Sequence, residues 1–128
     1  MPDYMMTCVR GDGVVELPRI VVKPWGREVW WALTERYCGK IIEVRAGECT
    51  SRQYHTVKHE TLYVLHGQVS FEMSGKKVEV GPGFRVELAP NTVHRIAGVT
   101  DAVLCEVSTP ETDDVVRLED QYGRAPMA

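Results

Sequence analysis

The sequence predicts an all-β domain, an antiparallel sandwich or barrel, and three observations carry that expectation. Short runs rich in β-branched and aromatic residues recur along the chain. Breaks containing Gly and Pro separate them at short, regular spacing. The composition, 44% hydrophobic and 26% charged over 128 residues, suits a chain that buries one core without staples. No internal repeat, low-complexity tract or linker divides it. Residues 1–128 are therefore read as one domain, with an arm over about 1–19 and a tail over about 109–128.

Taken in order, Gly26 to Thr34 holds an apolar cluster whose Val and Trp residues suit a strand better than a helix. Gly39 to Val44 and Thr61 to Leu65 are strands by the same criterion. Val69 to Met73 and Lys77 to Val80 flank Ser74-Gly75-Lys76 as a hairpin. Gly81-Pro82-Gly83 breaks the chain before a strand at Phe84 to Leu88. Ala89-Pro90-Asn91-Thr92 breaks it again before Val93 to Ile96, and Ala102 to Val107 closes the series. One segment competes as a short helix, Thr112 to Leu118. Thr112 is its N-cap, and Asp113 and Asp114 stand in the first turn, where acids suit the helix dipole.

Fifteen Lys and Arg against eighteen Asp and Glu give a net charge of −3, which argues against a nucleic-acid footprint. No apolar run approaches the ~18 residues that cross a bilayer. The first residues lack a basic patch followed by an apolar stretch, so no secretory signal is read and a cytoplasmic address is expected. Cys8, Cys38, Cys49 and Cys105 form no Cys-x-x-Cys pair. They are expected to be free thiols, mostly buried as small hydrophobes.

The chemistry concentrates in the four histidines and their neighbours. Gln53 and His55 are two apart, so on a strand both side chains share a face. Glu60 opens the next strand, where an antiparallel neighbour brings it opposite that pair, and His94 arrives from a later strand. An amide oxygen, two imidazoles and a carboxylate, with positions left for water, suit a catalytic divalent ion rather than a closed structural site. His59 has the opposite strand parity to Glu60 and is read as a surface or rim residue. His66 is read as a hydrogen-bonded structural histidine. Trp25, Trp30 and Trp31 are assigned to packing rather than to a ligand-stacking platform.

Gln53-x-His55-x4-Glu60-x6-Gly67 resembles the first motif of the cupin superfamily, with Gln53 where the usual first His stands. Gly83 and His94 fit the second motif, although Ala89 and Asn91 replace its Pro and Gly, and Gly98 replaces its final Asn. Lys23-Pro24-Trp25-Gly26 and the tail from Asp113 to Arg124 resemble the opening and ending of the type II mannose-6-phosphate isomerase cupin domain. That likeness covers about residues 20–124. A nucleotidyltransferase domain is often fused ahead of this module in the family, and this chain is expected to stand without it.

The resemblance implies a double-stranded antiparallel jelly-roll barrel that forms a homodimer through residues near Trp30. It implies one divalent ion on Gln53, His55, Glu60 and His94, zinc first and iron, manganese or nickel in the alternative. The implied reaction is interconversion of an aldose and a ketose phosphate, with a small sugar phosphate as the partner and neither nucleic acid nor membrane. Lys58 stands at the family's Arg position, either as a cation that holds phosphate or polarises an oxygen, or as a solvated loop lysine. Arg117 and Arg124 are set to fold over the barrel mouth and fork onto phosphate, with Lys23 and Tyr122 beside them. Asp120 is either a proton-accepting carboxylate or simply the partner of Arg124, four residues on. Val57, Thr61 and Leu62 replace the family's His, His and Trp beside the expected pocket. They keep two other readings open: a metallocupin of another reaction (dioxygenase, lyase or epimerase), and a sugar-binding cupin without turnover.

Overall fold

A computed structural model describes residues 13–125 and the backbone of 8–9. The Cys8 thiol and most of the expected arm lie outside the described residues. Strands follow in chain order as β1 (Cys8–Val9), β2 (Gly13–Val14), β3 (Arg19–Lys23), β4 (Gly26–Leu33), β5 (Cys38–Val44), β6 (Arg52–Tyr54) and β7 (Glu60–His66). They continue as β8 (Val69–Met73), β9 (Lys76–Val80), β10 (Arg85–Leu88), β11 (His94–Gly98), β12 (Ala102–Ser108) and β13 (Val116–Glu119). No helix occurs among the described residues, and so none that could cross a membrane.

Six strands form one antiparallel sheet in the order β10-β7-β12-β5-β4-β3, and five form a second in the order β13-β6-β11-β8-β9. β1 and β2 form a separate two-stranded sheet. Strict alternation on β5, β7 and β12 sends Ile42, Val44, Leu62, Val64 and Leu104 inward from the first sheet. Val69, Phe71 and Ile96 come inward from β8 and β11 of the second. Each such side chain contributes about 1.5–3 kcal/mol when removed from water, so the two sheets close on one another. The turn spacing predicts such an antiparallel sandwich or barrel, and the jelly-roll architecture is the one that the resemblance implies.

Two backbone positions hold the sheets in register. Gly67, between β7 and β8, has φ +81, and a Cβ there would sit 2.2 Å from the Asp101 carbonyl oxygen. Only glycine takes both that conformation and that approach. Asn91, where the resemblance expects glycine, adopts the left-handed conformation itself (φ 67), which Asn tolerates better than most residues. Its amide donates to the His55 carbonyl, so the turn that launches β11 is fastened to the end of β6.

The expected helix at Thr112 to Leu118 does not form. Val116–Glu119 is strand β13, paired with β6. Asp114, cast as a first-turn acid, spends its carboxylate on the backbone amides of Thr56, Val57 and Lys58 instead. A distant loop with unpaired amides outcompetes the local helix terminus for the same acceptor. β3 is a strand that the sequence reading passed over.

Candidate metal centre

The inward alternation of the six-stranded sheet changes character at one end. Lys40 on β5, Glu60 on β7 and Glu106 on β12 occupy positions that elsewhere on these strands hold Ile, Leu and Val, and all three are buried. That end of the barrel is therefore a polar cavity rather than core. His55 and His94 reach it from the second sheet. His94 starts β11 directly opposite Gln53 of β6, and His55 lies one residue beyond the end of β6.

His55, Glu60 and His94 present one ligand atom each, all within 4.8 Å of one another. His55 Nε2 is 3.8 Å from Glu60 Oε2, and His94 Nε2 is 3.7 Å from Glu60 Oε1. Ligand atoms about 2.1 Å from an ion sit roughly 3.0–3.4 Å apart at octahedral or tetrahedral angles, so an ion would draw the two Glu60 contacts in by a few tenths of an ångström and any pair near the 4.8 Å limit by more than one. The far nitrogens are already engaged. His55 Nδ1 donates to the Asp114 carbonyl, and His94 Nδ1 donates to the Thr92 carbonyl 2.9 Å away. Carbonyls only accept, so both rings carry a proton on Nδ1 and point Nε2 toward Glu60. His55 Nε2 is buried with no hydrogen-bond partner among the described residues, an arrangement that costs free energy unless an ion takes up that nitrogen. These residues fit a divalent metal. Gln53 shares the same wall of the cavity, where its Oε1 accepts from the Ser51 hydroxyl at 2.6 Å.

Charge is balanced inside the barrel by ion pairs. Lys58 Nζ lies 2.8 Å from Glu60 Oε2 and 3.1 Å from Glu106 Oε2, and it is buried. The solvated-loop reading of Lys58 is thereby overturned. Burial alone would discharge the ammonium, yet the two flanking carboxylates and their hydrogen bonds outweigh it and raise its pKa. For Glu60, burial opposes ionisation, and the Lys58 ammonium with the two imidazoles wins, leaving the pKa lowered. For Glu106, burial and the Glu60 charge together prevail over Lys58, so its pKa is raised. Burial lowers the His94 pKa, keeping the ring neutral as a ligand must be.

The cavity also holds Lys23, Arg117 and Arg124. Lys23 has its pKa lowered by burial, with Lys40, Arg117 and Arg124 adding like charge against the opposing pull of Glu28. The Arg117 Nε is buried without a hydrogen-bond partner among the described residues. Two residues of the tail do not join them. Asp120 is taken up by Arg124, whose Nε and Nη2 lie 2.8 and 3.1 Å away, and it does not line the cavity. Tyr122 packs against the core and gives its hydroxyl to Glu48. Asp120 as a proton acceptor and Tyr122 as a substrate contact are both corrected by this geometry.

The cupin domain family matches residues 40–108, more than half of the 128-residue chain. The chain belongs to the cupin family. Mannose-1-phosphate guanylyltransferase ManC of Salmonella typhimurium is 33% identical to it over 123 residues, 91% of this chain and 26% of that protein. This cupin thus spans about a quarter of the length of that relative. Streptomyces PAC13, solved with uridine, superposes with a TM-score of 0.72 at 16% identity, covering 88% of this chain and 93% of the other. A protein described as a sugar phosphate isomerase from Acidithiobacillus ferrooxidans gives 0.55 at 23% identity, covering 62% of this chain and 53% of the other. Both structures share the cupin fold.

The remaining expectations sort by position. His59 is exposed and pairs with Glu87 at 2.8 Å, as a rim residue should. His66 is exposed at the end of β7 rather than buried in a hydrogen bond. Val57 and Thr61 do not line the cavity, and Leu62 is core; the departures read as flanking the pocket lie outside it. Trp25 is buried core that also borders the cavity. Trp30 faces the cavity too, with Arg19 and Lys40 over its ring at 4.9 and 4.4 Å. Cys38 is buried, while Cys49 and Cys105 are half-buried, all three as free thiols. Glu106, Lys40 and Glu28 are cavity residues that the sequence reading missed. Their signal was present: a charge at inward parity, as in Ala102-Val-Leu104-Cys-Glu106, marks a strand whose end does not face core.

Proposed function

We propose that this cupin is a metal-dependent isomerase that interconverts the aldose and ketose forms of a sugar phosphate. The observation that carries the reading is a His-Glu-His trio that could hold a metal, opening into the same cavity as Lys23, Arg117 and Arg124, one of them with a buried N–H that has no hydrogen-bond partner among the described residues. Likeness to a mannose-1-phosphate guanylyltransferase supports a phosphorylated hexose. His55, Glu60 and His94 would hold the ion, with Gln53 beside them as the fourth protein ligand. When bound, a zinc, iron, manganese or nickel ion supplies Lewis-acid stabilisation to the sugar oxygens as charge develops there.

The chain's own residues divide the rest of the work. Arg117, Arg124 and Lys23 bind the phosphate, Arg117 by a planar fork that matches its oxygens and Arg124, whose Nε and Nη2 hold Asp120, through Nη1 and its charge. Glu106 replaces Asp120 as the carboxylate that moves a proton. Its Oε2 accepts from Lys58 and Ser108, while the side chain borders the cavity. Its raised pKa brings it toward the range in which a base works at neutral pH. It would take the C2 proton of the aldose, so that this electron pair forms the C1–C2 double bond while the C1 carbonyl pair moves onto O1; the hydroxyl proton passes from O2 to O1, and Glu106 returns its proton to C1 as C2=O forms. Lys58 steadies Glu106 and Glu60 from between them.

The reading includes a homodimer, built through the outer face of the six-stranded sheet. Tyr63, Cys105, Ile41, Val29 and Ile20 lie in one outward row across β7, β12, β5, β4 and β3. Trp31 lies beside that row against Gly39, where a Cβ would meet its ring at 2.6 Å. An antiparallel sheet whose second face met water would be polar there. Trp30, the expected centre of the contact, faces inward instead.

The test is metal analysis followed by NMR of solvent deuterium exchange at C2 across hexose and pentose phosphates. Exchange with a hexose phosphate is expected. Chelator should abolish it, and Glu106→Gln should lower it by about a hundredfold or more while leaving sugar-phosphate binding intact. Absence of exchange with every sugar phosphate refutes the isomerase. Oxygen consumption by the iron-loaded protein would replace it with a dioxygenase, and ligand stabilisation without turnover would replace it with a binding module.

A further inference from the structure

We infer that Asp114 is the positioning residue of the metal centre, orienting His55 from the tail and tying that ligand to the cations of the cavity. His55 follows the last residue of β6, so no sheet ladder fixes its backbone. The turn after it, Thr56-Val57-Lys58, carries three amides that a strand would have paired. Asp114 satisfies all three. Its Oδ1 accepts from the Thr56 amide at 3.0 Å and the Thr56 hydroxyl at 2.7 Å. Its Oδ2 accepts from the Val57 amide at 2.7 Å and the Lys58 amide at 2.9 Å. The carbonyl of the same residue accepts the His55 Nδ1 proton.

The two sets of bonds have different consequences. The carboxylate bonds anchor a loop, which any well-placed carboxylate can do. The carbonyl bond selects the His55 tautomer and holds Nε2 toward Glu60, and an outer partner of this kind tunes metal affinity. Because one residue makes both, moving the loop moves the ligand. The bonds also span the stretch between two ligands, His55 and Glu60, and fix Lys58 of the buried ion pair. Three residues beyond Asp114, Arg117 pairs with Gln53 across β13 and β6 and lines the cavity. The tail thus sets a ligand and delivers an arginine from one short segment.

This inference rests on the metal-centre part of the proposed function and not on the isomerisation. The test uses the full chain, titrated with zinc against a chromophoric chelator, beside Asp114→Ala, Asp114→Asn and the neighbouring control Asp113→Asn. Wild type and the control should bind one zinc per chain with equal affinity. Asp114→Ala should bind about ten- to a hundredfold more weakly, and Asp114→Asn, which keeps one acceptor oxygen, should fall between. ¹⁵N NMR of the metal-free protein should show His55 as the Nδ1–H tautomer in wild type and as a mixture in Asp114→Ala. If Asp114→Ala does not fold, Asp114→Asn carries both measurements. Folded variants that melt earlier yet keep zinc affinity within twofold and an unchanged His55 tautomer overturn the inference, since Asp114 would then only anchor a loop. Wild type that binds no zinc overturns the metal centre along with it.

Discussion

The Lys58 ammonium lies 2.8 Å from the Glu60 carboxylate with both side chains buried, so a candidate metal ligand is kept ionised by a fixed cation rather than by water. Glu106 completes the set on the other side of Lys58. Two acids and one base leave one net negative charge in a buried site. A divalent cation shared with neutral imidazoles would reverse that sign.

Lys58→Met should therefore do more than remove a salt bridge. Two buried carboxylates would lose their common partner, at a cost of about 3–5 kcal/mol of stability. Without Lys58, burial would dominate the Glu60 pKa and push it up, so protons would compete with the metal. Zinc affinity should fall, and fall further at pH 6 than at pH 8, whereas Lys58→Arg should restore most of it. Denaturant melts and zinc titrations at the two pH values check this. Equal losses at both would show that Lys58 does not control Glu60 ionisation.

Acid should destabilise the metal-free protein through His94 and Glu60. Burial lowers the His94 pKa below its ordinary 6.5, so as pH falls through 6.5 the unfolded chain gains a proton that the folded one refuses. Unfolding is favoured there. The lowered Glu60 pKa adds stability that is complete above its ordinary 4.5 and disappears as pH falls through the folded value. Glu106 has the opposite sign, because its raised pKa makes the folded state hold a proton longer. Melting temperatures measured in chelator should drop from pH 7 to pH 5, and His94→Gln should flatten the upper part of that drop. A wild-type profile that is level down to pH 5 would contradict the neutral, buried His94.

Much of this was legible in residue spacing. The parity of Gln53 and His55 and the separation of Glu60 from His94 foretold which side chains meet, because strand alternation has period two whatever the loops do. The tail was less legible. Thr112, Asp113 and Asp114 carry the local signature of a helix start, and the distant amides of residues 56–58 turn Asp114 to another use. Asp120 and Arg124 are compatible with both a free carboxylate and an ion pair until the fold places them. Glu106 went unnoticed because its strand reads as apolar. The outward row across β7, β12 and β5 was equally hidden, since a face depends on strand order as well as on sequence.

Arg117→Met should weaken sugar-phosphate binding without disturbing the metal centre. The buried Arg117 Nε has no hydrogen-bond partner among the described residues, so a phosphate oxygen would gain a charge-assisted bond at little rearrangement. Such bonds contribute about 1.5–3 kcal/mol, which is roughly tenfold or more in affinity. Calorimetry should show that loss for a hexose phosphate and none for the unphosphorylated hexose, with zinc affinity held at the wild-type value. Equal losses for both sugars would place the phosphate elsewhere.

The outer face of the six-stranded sheet should govern oligomeric state. Trp31 is 52% exposed and Val107 54% exposed, on a row that a two-fold axis would match with itself. A charge placed there would be duplicated across the interface and left without a partner, whereas on a free surface it would be nearly neutral in effect. Light scattering should give the mass of two chains for wild type and of one chain for Trp31→Glu or Val107→Glu, with circular dichroism unchanged. Wild type at monomer mass would remove the dimer from the proposal. Variants that remain dimeric would move the contact to another face.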